Sequence, residues 1–209
     1  MEDNDDSDFD VLIKLVIIGD LAVGKTNYLF RFIEREFNPV HEATVGFDYK
    51  SRICFLPNFQ KKVKFQVWDT AGQERYMSLN KNLFQRVQGI ILMYDISMDK
   101  SFESLDGWMK IIKQLAPNIP IILLGNKKDL ENKRAISKEK GEEFSKKQNI
   151  TFFETSGKTG ENVDESFMYL AEEIIKLNNN NNDDNKSDRN EYIISKETSY
   201  NNKKKKKCC

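Results

Sequence analysis

The sequence predicts an α/β protein: a six-stranded, mostly parallel sheet with one antiparallel edge strand and helices on both faces. Two observations carry this. Across residues 11–177 short β-branched apolar runs alternate with longer amphipathic stretches, and only Leu56, Pro57, Asn58, Phe59 and Gln60 separate the second run from the third. That link is too short for a crossover helix, so those two strands form an antiparallel hairpin, while the remaining links can be helical.

In chain order the strands are expected at 12–18, 47–55, 63–68, 90–95, 121–125 and 151–154. Phe102, Leu105, Met109, Ile112 and Leu115 recur at intervals of three and four, as do Val163, Phe167, Leu170, Ala171, Ile174 and Leu177, which marks two sheet-covering helices. Asn162 and Glu165 have the spacing of a capping box for the second. From Asn178 the periodicity gives way to Asn, Asp, Ser and Lys, a composition that cannot offset its ordering entropy by apolar burial. The expected organisation is a disordered acidic arm at 1–10, one domain at 11–177 and a disordered tether at 178–209.

Composition narrows the function classes. The 209 residues include 33 basic and 33 acidic side chains and are 39% hydrophobic. Zero net charge gives no global field for nucleic acid, but it hides an acidic start and a basic finish at Lys203–Lys207. The first ten residues lack the positive and apolar regions of a secretory signal, and no apolar stretch approaches the roughly 20 residues that span a bilayer. Of the three cysteines, Cys54 lies in an apolar run and Cys208 and Cys209 end the sequence, so neither a zinc site nor a disulfide framework is expected.

The chemistry is concentrated in three motifs. Gly19, Asp20, Leu21, Ala22, Val23, Gly24, Lys25 and Thr26 fit G-x-x-x-x-G-K-[ST] between a strand and a helix. By chance this arises in about one chain of this length in a hundred. Such a loop wraps phosphate with its backbone N–H groups, with Lys25 reaching the β- and γ-phosphates and Thr26 placing its hydroxyl on Mg²⁺.

Asn126, Lys127, Lys128 and Asp129 follow the fifth strand at its C-terminal edge, where open α/β sheets place ligands. The Asp129 carboxylate can accept from N1–H and the N2 amine of guanine, whereas adenine would leave it unpaired, so the base is guanine. In the third motif, Trp68 to Glu74, Asp69 is placed for Mg²⁺ through water, Gly72 for the γ-phosphate and Gln73 for the attacking water. Thr44 supplies a second hydroxyl to the metal. Ser156, Gly157 and Lys158, after the sixth strand, bring backbone N–H groups to the guanine O6.

In this order the motifs resemble a small GTPase of the Ras superfamily, with its P-loop GTPase fold, and most of all the Rab family. Thr44 to Tyr49, Lys64 to Trp68 and Leu92 to Ile96 carry the likeness to Rab segments. The resemblance implies a GTP/GDP switch that hydrolyses GTP in vesicle traffic, with Phe37 against the guanine and Asn126 tying the base loop to the phosphate loop. It also implies an exchange factor, a GTPase-activating protein, effectors, a prenylation escort and a GDP-dissociation inhibitor, for a monomer that binds no nucleic acid. Tyr49, Trp68 and Leu83 match the family's aromatic effector cluster, although Leu83 is not aromatic.

Lys203–Lys207 before Cys208 and Cys209 resemble the doubly geranylgeranylated Rab ending, which would place the protein on the cytoplasmic face of an intracellular membrane with a cytosolic pool. Two lipid chains, or one with a basic patch, anchor stably. Leu21 departs from the pattern. A branched apolar side chain at that position competes for the space of Gln73 and an incoming arginine finger, so hydrolysis is expected to suffer. The alternative is a GTP-loaded binding module that hardly turns over. An ATP-dependent kinase is disfavoured by Asp129. Ala22 is expected to be tolerated, and Gly157 retains the needed N–H where the family has Ala. Trp108 is expected in the core or scattered on the surface, and His41, the only histidine, in solvent.

Overall fold

The structure is a computed structural model that describes residues 8–38, 47–70, 84 and 86–184. The arm at 1–7, Thr44, Gly72, Gln73, Leu83, His41, Cys208, Cys209 and the lysine run lie outside the described residues.

Six strands form one sheet: β1 Val11–Ile18, β2 Phe47–Leu56, β3 Lys61–Thr70, β4 Gly89–Asp95, β5 Ile121–Asn126 and β6 Thr151–Glu154. Their order is β2-β3-β1-β4-β5-β6. β2 and β3 pair antiparallel from Phe47 opposite Thr70 to Leu56 opposite Lys61, and every other pairing is parallel. The expected hairpin and strand set are both present, with β2 and β3 each reaching ten residues. A 3₁₀ turn at Pro57–Phe59 joins them, as proline's fixed φ at a first helical position favours.

Among the described residues the α-helices are α1 Lys25–Glu34, α2 Asp99–Glu103, α3 Leu105–Leu115, α4 Lys138–Gln148 and α5 Val163–Asp184. The apolar stretch from Phe102 to Leu115 is therefore two helices that meet at Ser104, not one. The side chain of Asn162 does not form the expected capping box; it sits at φ 54° and its Nδ2 donates to Glu154 O at 2.8 Å. That bond fixes the start of α5 against β6 instead of against its own first turn. α5 also continues past Leu177 through the Asn run to Asp184. Asn is a poor helix former, yet extending an established helix adds one hydrogen bond per residue fixed, whereas nucleation carries the large cost.

Period-two alternation along β1 divides the core in two. Ile13, Leu15 and Ile17 face a layer with Tyr28, Leu29 and Phe32 of α1 and Phe167, Leu170 and Ile174 of α5. Val16 and Ile18 face the opposite layer, with Leu105, Trp108, Met109 and Ile112 of α3 and Phe144 of α4. Both faces of the sheet are thus covered, which excludes water from the central strands and leaves their C-terminal ends to open into loops. Aromatic stacking joins α1 to α5: the Phe167 ring centroid lies 3.7 Å from that of Phe32 and 5.2 Å from that of Tyr28.

Phe167→Ala should cost about 3–5 kcal/mol, because it removes a fully buried aromatic ring and leaves a cavity between two helices. Urea unfolding monitored by circular dichroism checks this, and a cost below about 1 kcal/mol would mean the α1–α5 layer collapses to fill the gap.

Candidate nucleotide-binding site

β1 lies between β3 and β4, and its chain leaves the sheet at Ile18 and turns into α1. This is where strand order reverses, the position at which open α/β sheets leave a crevice for ligands. Gly19 takes φ +143°, and a Cβ there would lie 2.1 Å from Met93 O, so only glycine lets the loop leave so close to β4. Gly24 takes φ +96°, and its absent Cβ would meet Asn126 Nδ2 at 2.6 Å. Ala22 sits at φ 63°, a left-handed conformation that costs a residue with a Cβ roughly 1–2 kcal/mol.

Lys25 curls back over this turn: its Nζ donates to Gly19 O and Asp20 O, each at 2.8 Å. The helical ladder of α1 begins with Tyr28 N donating to Gly24 O at 2.9 Å. The N–H groups of Lys25, Thr26 and Asn27 therefore precede the ladder and stand at the positive end of the helix, where an anion is favoured. Asn27, which the motif does not single out, is buried, and its Oδ1 has no hydrogen-bond partner among the described residues.

Asp20 behaves differently from its neighbours. Its carboxylate accepts from Trp108 Nε1 and from Ser104 Oγ, each at 2.7 Å, so the side chain faces α3 and contributes its backbone to the loop. Of the two places the sequence left open for Trp108, the structure gives the core, and its indole N–H reaches the loop, a contact that apolar periodicity could not reveal.

Thr26 Oγ1 donates to Asp69 Oδ2 at 2.6 Å. The hydroxyl comes from the first turn of α1, and Asp69, 3% exposed, comes from the end of β3. Two hard oxygen donors converging beside a phosphate-binding turn fit Mg²⁺, which takes few protein ligands and completes its shell with phosphate and water.

The base loop joins the phosphate loop through side chains. Asn126, 2% exposed at the end of β5, donates from Nδ2 to Val23 O at 2.9 Å. Its Oδ1 accepts from Gly157 N and Thr155 Oγ1, both at 3.3 Å. Lys127 reaches Ala22 O at 2.7 Å and the buried Asp95 carboxylate at 2.8 Å. Asp129 accepts from Ser156 Oγ at 2.6 Å, and Lys158 Nζ stands 4.0 Å from its other oxygen. Phe37 is half-buried in the loop after α1.

A Cβ at Gly157 would come within 3.0 Å of Tyr28 N, so glycine lets this loop lie directly on the backbone of α1. Arg31 locks the approach by donating to Gly157 O at 3.0 Å and Lys158 O at 2.6 Å. Arg134 holds the other flank with 2.6 Å ion pairs to Glu131 and to the buried Glu154. Its guanidinium beside Glu131 draws that carboxyl below the ordinary range. Neither arginine belongs to a motif, and their roles follow only from where they land.

Comparison with known proteins then decides the family. The Ras family model matches residues 14–176. The chain is 45% identical over 168 residues to Ras-related protein Rab-13 of Rattus norvegicus, covering 80% of this chain and 82% of that one. It is 44% identical over 172 residues to human Ras-related protein Rab-8B, covering 81% and 82% respectively. With Ras-related protein Rab-10 of Diplobatis ommata it shares 43% over 169 residues.

The chain belongs to the Ras family. It is a Rab small GTPase, an enzyme that hydrolyses GTP and regulates vesicle traffic. Ras-family GTPases bind GTP and GDP with Mg²⁺, Rab proteins work with regulators and effectors, and Rab relatives associate with membranes through lipid anchors. Among the described residues no helix of this Rab protein is long and apolar enough to cross a membrane. On its sheet surface Tyr49 pairs across strands with Trp68, ring centroids 6.0 Å apart. Tyr49 is 57% exposed, and Trp68 is half-buried against the core layer of α3.

Asp129→Asn replaces an accepting oxygen by an N–H donor that would confront the guanine N2 amine. GDP affinity should fall about 100-fold or more, with the two charge-assisted hydrogen bonds worth roughly 1.5–3 kcal/mol each. Displacement of fluorescent GDP measures this, and unchanged affinity would remove Asp129 from base recognition.

Proposed function

We propose that this Rab protein is a lipid-anchored guanine-nucleotide switch whose intrinsic GTP hydrolysis is slowed by Leu21. The observation that carries the nucleotide reading is the bond from Asn126 Nδ2 to Val23 O at 2.9 Å, which makes the base loop and the phosphate loop one binding surface. On that surface the backbone at Gly19–Lys25 takes the phosphates, Lys25 reaches the β- and γ-phosphates, and Asp129 takes the guanine edge. Ser156, Gly157 and Lys158 close over O6, and Phe37 packs against the base.

Thr26, Asp69 and Thr44 would hold Mg²⁺, which when bound neutralises phosphate charge. Gln73 orients the attacking water, and Gly72 with Thr44 is drawn in by the γ-phosphate and released after hydrolysis. Partners that fit only the drawn-in form then read the nucleotide state. Effectors meet the surface of Tyr49, Trp68 and Leu83, and an exchange factor, a GTPase-activating protein, a prenylation escort and a GDP-dissociation inhibitor act on the cycle. Two geranylgeranyl chains on Cys208 and Cys209, with Lys203–Lys207, hold the protein on the cytoplasmic face of an intracellular membrane.

Leu21 is 55% exposed on the phosphate loop, which supports both slowed hydrolysis and the second reading, a GTP-loaded module that hardly turns over. An exposed leucine at this point stands where an arginine finger, worth about 10³ to 10⁵ in rate, would have to enter.

Single-turnover hydrolysis of GTP separates the readings. Leu21→Ser should hydrolyse several-fold faster than wild type if the leucine obstructs the site; equal rates would clear Leu21 of any role, and no measurable turnover in either protein would favour the binding module. For the anchor, Cys208→Ser with Cys209→Ser should move the protein from the membrane fraction to the cytosol, whereas retention on membranes would defeat the lipid assignment.

A further inference from the structure

We propose that Trp108 and Ser104 are positioning residues of the nucleotide site, a latch by which the α2–α3 junction holds the phosphate loop through Asp20. The proposal rests on the guanine-nucleotide reading of that loop. Both oxygens of the Asp20 carboxylate are engaged: Trp108 Nε1 lies 2.7 Å from Oδ1 and Ser104 Oγ lies 2.7 Å from Oδ2. The partners come from 84 and 88 residues further along the chain. The Ser104 hydroxyl also stands 2.9 Å from Lys100 O, but its single proton goes to the carboxylate, the stronger acceptor.

Trp108 is 4% exposed and packs in the α3 layer, so its indole is held rigidly and aims its N–H at one point. Ser104 is equally fixed, at the junction where α2 ends and α3 begins. The backbone carbonyl of Asp20 accepts from Lys25 Nζ at 2.8 Å. One residue thus connects α3 on its side-chain end to the phosphate-binding lysine on its backbone end.

The latch has an electrostatic purpose as well as a geometric one. A carboxylate two residues into a loop that gathers phosphate is repelled by the anion it helps to bind, more strongly where water is excluded. Two donors, one at the α2–α3 junction and one on α3, turn that charge away and neutralise part of it. Cutting the donors frees the loop and returns the negative charge towards the phosphates, and both effects weaken nucleotide binding. A movement of α3 is transmitted to the loop by the same route, so the outer face of α3 is a place from which nucleotide release can be altered.

The test is the dissociation rate of fluorescent GDP from the full chain, measured at two salt concentrations. Ser104→Ala leaves the indole packing intact and should speed release about threefold; Ser104→Ala with Trp108→Phe should speed it about tenfold or more, in keeping with loss of charge-assisted hydrogen bonds. Adding Asp20→Asn to that double variant should slow release again, and the double variant should be the more salt-sensitive of the two, because the misplaced charge has gone. A purely structural role for the indole would give no such recovery. Release within twofold of wild type in Ser104→Ala and in the double variant, or no recovery on removing the charge, overturns the latch. Failure of the wild-type protein to bind GDP at all overturns the underlying nucleotide reading, and the latch with it.

Discussion

The site depends on the backbone carbonyls of the phosphate loop being taken by side chains from elsewhere in the fold. A loop that turns its N–H groups toward an anion must turn carbonyls the other way, and those oxygens need donors, most of all where they are buried. Asn126 supplies one to Val23, Lys127 one to Ala22, and Lys25 serves both Gly19 and Asp20. Their donors come from the end of β5, the residue after it and the first turn of α1, so the loop keeps its shape only while the sheet holds those ends in register.

That arrangement explains why the glycines stand where they do. Gly19 avoids a collision with Met93 O on the neighbouring strand, and Gly24 leaves room for the very amide that donates to Val23. The third, Gly157, lets the loop after β6 settle on the backbone of α1, where Arg31 secures it. Strands β1, β5 and β6 thereby deliver their C-terminal loops to a single crevice. The two aromatic and aliphatic layers on either face of the sheet supply the rigidity that lets these short loops carry strained conformations such as that of Ala22.

Charge is handled by the same economy of placement. The crevice gathers Asp20, Asp69, Asp95 and Asp129, and each of three is held by donors of the wall: Asp20 by the Trp108 indole and the Ser104 hydroxyl, Asp95 by Lys127 and Ser97, and Asp129 by the Ser156 hydroxyl. Asp69 meets the Thr26 hydroxyl at the end of β3, where the two elements converge. Leu21 and Ala22 are the exposed residues of the loop, and of the two only Leu21 carries a large apolar side chain into solvent.

By itself the sequence determined the class of the fold, its strands and hairpin, and the family likeness, because these rest on local patterns: alternation of apolar residues, a short link, and motifs whose members lie a few positions apart. The tertiary structure alone decided that Trp108 and Ser104 grip Asp20, that Arg31 and Arg134 brace the base loop, that Asn162 reaches β6 in place of its own helix, and that α5 extends to Asp184. The first three are contacts between segments distant in sequence or between elements rather than within one, so no spacing encodes them. The last follows from helix propagation, which carries residues of weak local preference along with those that were packed first.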